Sequence, residues 1–174
     1  MILNDVSLNK LLDQLVQPNN NVKVGPCLID LTLSNSFKEL SSYIDLSQTE
    51  DIHHNDITND NYVLEPGEFC LASTNETVNI PNDMCGFVVG RSSIARCGLQ
   101  IEAAGLIDPG FCGQITLELQ NQTKFPIKLK SGIRLCQLVV HTLNAPCEKP
   151  YDGKYNNQTG ATSSRLWEDN SEKR

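Results

Sequence analysis

The densest chemistry in the chain lies in Gly90-Arg91-Ser92-Ser93-Ile94-Ala95-Arg96, where two guanidinium groups, two hydroxyls and a run of backbone amides fall within seven residues. Planar guanidinium forks and hydroxyl donors match phosphate oxygens, so the segment is a phosphate-binding inventory. It is not a P-loop, because no G-x-x-x-x-G-K-[ST] is present. Further along come Ala103-Ala104-Gly105-Leu106-Ile107-Asp108-Pro109-Gly110-Phe111 and then Gly113-Gln114-Ile115-Thr116-Leu117-Glu118-Leu119-Gln120-Asn121. In the second run Ile115, Leu117 and Leu119 share one face of a strand, and Thr116 and Glu118 share the other. A carboxylate held there could take up and return protons. The commoner role of a lone strand glutamate is a solvated outer-face charge.

Metal chemistry has little to build on. His53 and His54 are adjacent but sit in a polar, acidic stretch, Asp45 to Asn61, that reads as an exposed loop. The seven cysteines are widely spaced with no C-x-x-C, and most are expected to be small core fillers. The Asn-x-Thr triplets at Asn75, Asn121 and Asn157 spell glycosylation acceptors but are read as chance matches. A net charge of -7 without any dense Lys/Arg run argues against a nucleic-acid partner. No apolar run reaches the roughly 20 residues of a membrane span, and the first residues lack a secretory pattern, so a cytoplasmic protein is expected.

The elements that must position these groups are short. The 174 residues suit one domain. Leu8, Leu11, Leu12, Leu15 and Val16 mark one amphipathic helix, with Asp5 or Ser7 to cap it and Pro18 beyond its end. From Gly25 onward, strand-like runs cover Leu28 to Leu33, Phe69 to Ala72, Phe87 to Val89, Ile115 to Leu119, Ile127 to Leu129 and Leu135 to His141. Turn chemistry separates them, as at Glu65-Pro66-Gly67-Glu68 and Asp108-Pro109-Gly110. Many short strands predict an all-β jelly roll or distorted barrel. The expected organisation is a helix and arm over 1–24, a β core over 25–149 and a C-terminal tail over 150–174. Tyr151, Tyr155 and Trp167 favour a flap over a purely solvating tail.

GRSSIAR, AGLIDPGF and GQITLELQN, in this order and spacing, resemble the core motifs of the dCTP deaminases, which share a trimeric fold with the dUTPases. VGPCLIDLTLSNSF, YVLEPGEFCLASTNETVNIPNDMCGFVVGRSS and PYDGKYNNQTGATSSR extend the likeness over most of the chain. Glu118 and the tail sequence separate the chain from plain dUTPases, which usually carry an aliphatic residue at the first place and a glycine-rich phenylalanine motif at the second.

The resemblance implies dCTP as substrate, dUTP as main product, dTTP as a feedback inhibitor and a homotrimer with sites between subunits. The alternatives are a bifunctional enzyme giving dUMP and pyrophosphate, or a silent nucleotide-binding regulator. By similarity, Arg91, Ser92, Ser93, Ile94, Ala95 and Arg96 form the loop that touches triphosphate and base. Asp108 holds the deoxyribose, and Thr116, Leu117 and Glu118 hold the pyrimidine edge. Gln137, Tyr151, Lys154 and Gln158 reach the sugar and phosphates. Glu118 is the implied proton shuttle, with Ser92, Arg96 and the Ala104 carbonyl orienting the water. The chain departs from the family at Gln100 to Ala104, which is one residue short and has Glu102 near the usual histidine. The zinc route of other deaminases needs an H-x-E glutamate with P-C-x-x-C, and neither is present. No zinc is expected, and any Mg²⁺ is expected on the substrate phosphates.

Overall fold

Residues 1–48, 50–101 and 105–171 are described by a computed structural model. The first element is helix α1 (Asp5–Leu15), with Leu8 and Leu15 fully buried. Its cap differs from expectation. Asn4, in extended conformation, accepts from the Ser7 amide at 3.0 Å, the bond a short carboxamide makes well at an N-cap. Asp5 stands inside the first turn, where its charge faces the positive helix end.

Short strands β1 (Val16–Gln17) and β2 (Lys23–Val24) lead to β3 (Ile29–Leu40), β4 (His54–Thr58), β5 (Asn61–Leu64), β6 (Phe69–Asn79) and β7 (Met84–Gly90). Helical turn α2 (Ser92–Ala95) follows, then β8 (Leu99–Ile101), β9 (Leu106–Ile107), β10 (Cys112–Asn121), β11 (Ile127–Lys130) and β12 (Arg134–Thr142). Helix α3 (Leu166–Ser171) ends the described chain. The main sheet runs β8-β10-β6-β3-β12-β7-β9, with β1, β2 and β4 paired along it, and β5 with β11 forms a separate ribbon. This is the all-β, curled architecture that the many short runs predict. Among the described residues no helix is long and apolar enough to cross a membrane.

The core is lined by alternate residues of the long strands, such as Ile29, Leu31 and Leu33 of β3, Leu117 and Leu119 of β10, and Leu138 and Val140 of β12. Among the described residues three register shifts break the pairing and curl the sheet, two of them along β6. Gln114 pairs with Thr77 and Thr116 with Ser73, so Thr74, Asn75 and Glu76 stand opposite Ile115 alone. Leu33 pairs with Thr74 and Phe37 with Ala72, so Ser34, Asn35 and Ser36 stand opposite Ser73 alone.

Side chains replace the missing ladder bonds in these bulges. Glu76, only 1% exposed, accepts from the Thr32 amide at 2.9 Å and the Thr32 hydroxyl at 2.5 Å. Asn75 donates to the Leu33 carbonyl at 2.8 Å, and the Ser34 and Ser73 hydroxyls lie 2.6 Å apart. Burial raises the Glu76 carboxyl above its ordinary value, against the lowering effect of the Thr32 bonds.

Two expectations need correction. Part of the 45–61 stretch is not loop, because β4 pairs with the outer half of β3 from Ser36↔Thr58 to Leu40↔His54, helped by a Lys38–Asp56 ion pair. Pairing partners, not an apolar pattern, make this strand. Cys70 and Cys136 are fully buried, Cys27 and Cys97 are exposed, and the other three are half-buried, all as free thiols. Burial pushes the Cys70 thiol up to about 12, which makes it inert. Asn121, in one of the triplets read as chance matches, is buried, and its carboxamide donates to the Leu64 and Phe125 carbonyls.

Candidate active site

A cavity of about 640 Å³ opens beside β10. Leu117 and Leu119 point into the core, so Thr116 and Glu118 point the other way, and both line the cavity. Glu118 is opposite Leu71 of β6, which also lines it. Phe69, Leu40, Ile44, Leu46 and Ile52 add an apolar wall. Asp108 enters from the turn after β9, and it and Glu118 are the carboxylates among the described lining residues.

The turn that aims Asp108 needs its glycine. Phe111 donates back to the Asp108 carbonyl at 3.2 Å, and Gly110 adopts φ +89°. A Cβ there would fall 2.6 Å from Pro150 Cβ and 3.0 Å from the Tyr151 nitrogen.

The tail forms the cavity's other wall. The Tyr151 amide donates to the Pro109 carbonyl at 2.7 Å, and Asn157 donates to the Cys112 carbonyl at 2.6 Å. The Thr162 amide then reaches Thr116 Oγ1 at 3.1 Å. Tyr151, Tyr155, Gln158 and Thr162 therefore face Glu118 and Asp108 across the cavity. Asn170 ties α3 to the 45–48 loop through the Leu46 and Gln48 carbonyls, at 3.0 and 2.8 Å. The tail is thus docked along one side of the cavity.

The arginine-serine segment lies elsewhere. Ser92 and Ser93 of α2 and Arg96, which caps it, are exposed and do not line this cavity. Arg91, Ile94 and Ala95 line a second hollow of about 320 Å³ with Gly98, Leu99, Gln100 and Gln122. Arg91 Nε lies 3.4 Å from Asp30, and its NH1 group donates to the Arg134 carbonyl at 2.9 Å. Asp30 is 5% exposed and also takes Arg134 at 3.3 Å and Gln137 at 2.8 Å. Two guanidinium groups against one carboxylate leave the cluster net cationic, suited to an anion.

Within one chain, then, Thr116, Glu118, Asp108, Tyr151 and Gln158 come together, while Arg91, Ser92, Ser93, Ile94, Ala95, Arg96 and Gln137 gather apart from them. Leu117 offers the cavity side of β10 only its backbone, because its side chain is fully buried in the core. Lys154 pairs with Asp169 at 2.7 Å and donates to the Arg165 carbonyl at 3.0 Å, and the bond to Asp169 raises its ammonium above the ordinary range. Ala104 lies outside the described residues. Sequence reasoning missed His54, which lines the cavity with Nδ1 2.8 Å from the Ile52 carbonyl. It also missed Asp30 and Arg134. The signal for Asp30 was a carboxylate inside the apolar run Leu28 to Leu33.

Comparison with known proteins identifies the family. Residues 2–143 match the family model described as dCTP deaminase-like. A "dCTP deaminase, dUMP-forming" of Persephonella marina is 38% identical over 97% of this chain and 99% of its own. One of Hydrogenobaculum sp. with the same name is 43% identical over 97% and 98%. A "dCTP deaminase" of Natronomonas pharaonis is 35% identical over 95% of each. Among solved structures, 2'-deoxycytidine 5'-triphosphate deaminase from Agrobacterium tumefaciens superposes with a TM-score of 0.65 at 22% identity. That match covers 81% of this chain and 47% of the other, and it shows the fold. With the family model spanning most of the chain and relatives above 30% identity matched end to end, the chain belongs to the dCTP deaminase-like family.

Proposed function

We propose that this protein hydrolyses dCTP to dUMP, ammonia and pyrophosphate, acting in the cytoplasm as a homotrimer. The observation that carries the reading is the placing of Glu118 and Asp108 on one cavity of about 640 Å³, roofed by the tail. The relatives named dUMP-forming support the bifunctional product over dUTP release, and the expectation of dUTP as main product gives way to it.

In the first step water adds to C4 of cytosine. Glu118 takes one proton from the water and delivers it to N3, then carries the proton of the new C4 hydroxyl to the amino group, so that the C4–N bond breaks, the C4 carbonyl forms and ammonia leaves. Ser92 and Arg96 orient that water and meet the developing charge. In the second step another water attacks the α-phosphorus and pyrophosphate leaves. Asp108, beside the sugar, is the carboxylate assigned to that water.

Two features support assembly from copies of the chain. The exposed residues of α2 lie away from the cavity that needs them. Phe87, Val89 and Leu106 leave apolar side chains exposed on adjoining strands β7 and β9. A neighbour's α2 brought to the Glu118 cavity would complete the site.

Among the described residues no cluster of histidine, cysteine, aspartate or glutamate is built to hold a metal ion, and the oxygens that suit a hard cation are those of the substrate phosphates. Mg²⁺ held by the substrate phosphates would neutralise part of their charge. Arg91, Arg134 and Gln137 are the residues set to bind phosphate, and dTTP is expected to compete as an inhibitor.

Chromatography of every nucleotide formed from dCTP and Mg²⁺ tests the reading. dUMP with pyrophosphate and no released dUTP is expected. Accumulating dUTP would restore the monofunctional reading, and no turnover would sink both.

A further inference from the structure

We propose that Gln114 is a positioning residue that latches the tail across the Thr116–Glu118 segment of β10 and so sets the affinity for nucleotide. The inference rests on the cavity being a nucleotide site.

Gln114 stands where the β10–β6 ladder breaks. At that break the Asn75 carbonyl of the bulge is turned toward β10, and Gln114 Nε2 donates to it at 3.0 Å. The other end of the same carboxamide accepts from the Gly160 amide. The backbone of Gln114 is committed to the tail as well. Its amide donates to the Gln158 carbonyl at 3.0 Å, and its carbonyl accepts from Gln158 Nε2 at 2.7 Å. A glutamine residue offers an amide, a carbonyl, a side-chain acceptor and a side-chain donor group. Each of them is engaged, three with the tail and one with the bulge.

The bulge is itself rigidly held, because Asn75 bonds the Leu33 carbonyl and Thr32 Oγ1 of β3. Gln114 therefore joins the tail to a bulge that is itself tied to β3. The path that follows is short. Ala161 donates to Ser36 Oγ at 3.0 Å, Thr162 donates to Thr116 Oγ1 at 3.1 Å, and Gln158 and Thr162 line the cavity facing Glu118. Gly160, at φ +66°, passes so close that a Cβ would fall 2.8 Å from Ser36 Oγ. A tail that shifts at Gly160 moves the residues that cover the substrate. The tail is needed to hold nucleotide more than to break bonds, so loosening it acts on KM before kcat.

The test compares the full-length protein with Gln114→Leu, which removes both side-chain bonds, and Gln114→Glu, which keeps an acceptor for Gly160 but opposes the Asn75 carbonyl. Trypsin cleavage after Lys154 and Arg165 without nucleotide reports tail docking, and steady-state kinetics on dCTP reports the site. For Gln114→Leu, loss of two neutral hydrogen bonds should speed tail cleavage and raise KM each about tenfold while kcat stays within about threefold. Gln114→Glu should fall between it and the wild type. Wild-type cleavage and KM in Gln114→Leu would overturn the proposal. So would KM, kcat and melting temperature failing together, which marks a purely structural residue. A wild-type protein that does not turn over dCTP defeats the reading of the cavity instead, and an unchanged cleavage rate would then defeat the latch on its own.

Discussion

Glu118 and Leu117 are neighbours in sequence with opposite duties, and the difference is one of face. Leu117 is fully buried among core side chains, whereas Glu118 turns to the cavity. Glu118→Gln keeps size and much of the hydrogen bonding but cannot carry protons. Turnover should fall at least about a hundredfold while nucleotide binding, measured by calorimetry, survives. Near-normal turnover would remove Glu118 from the mechanism. Glu76 is the second carboxyl with an unusual setting. Burial raises its folded-state pKa above the ordinary 4.5, so its contribution to stability is complete below 4.5 and is lost as pH rises through the raised value. Glu76→Gln removes that loss. The stability of the variant relative to wild type should climb above pH 4.5 and level off once the wild-type carboxyl ionises, by about 1.4 kcal/mol per pH unit in between. Denaturant titrations across that range check it, and a flat difference would contradict it.

At the scale of elements, the turn after β9 and the tail are built as one piece. The tight approach of Gly110 to Pro150 and Tyr151 means that Gly110→Ala forces an alanine into positive φ and pushes the tail outward. About 1–3 kcal/mol of stability should be lost, read as a lower melting temperature with faster proteolysis after Lys154. A melting temperature equal to wild type would show that the turn relaxes freely. Strand β10 was legible in the sequence because the core imposes a period of two on Leu117 and Leu119 and leaves Glu118 opposite. Strand β4 was not. It has little apolar pattern of its own and exists because β3 offers a free edge. The bulge at Thr74–Glu76 was hidden for a related reason, since its polar residues are satisfied by Thr32 and Leu33, more than 40 residues away in the chain. Likewise Asp30 meets Arg134 across 104 positions, which no local spacing encodes.

For the whole molecule, the family motifs made the fold and the proton-shuttle candidate readable. The arrangement of the half-sites was not readable from spacing. Glu118 and the exposed arginine-serine turn are separated in the folded chain. In the proposed trimer each active site takes α2 from one copy and β10 from another. Arg96→Ala and Glu118→Gln, each nearly inactive alone, should therefore regain part of the wild-type rate when mixed, dissociated and reassembled, because some interfaces then join two intact halves. Continued inactivity of the reassembled mixture, with trimers verified by sedimentation, would rule out the shared site.

In the proposed trimer the separation of α2 from the Glu118 cavity would also make the nucleotide an adhesive. A ligand that touches both halves binds only copies already in contact, and by linkage whatever binds the assembled form alone shifts the association equilibrium toward it. A non-reactive dCTP analogue should thus lower the protein concentration at which copies come apart, by a factor that grows with analogue concentration. In analytical ultracentrifugation the dissociation midpoint should move with the analogue and stay put with tripolyphosphate, which engages the cationic half without reaching Glu118.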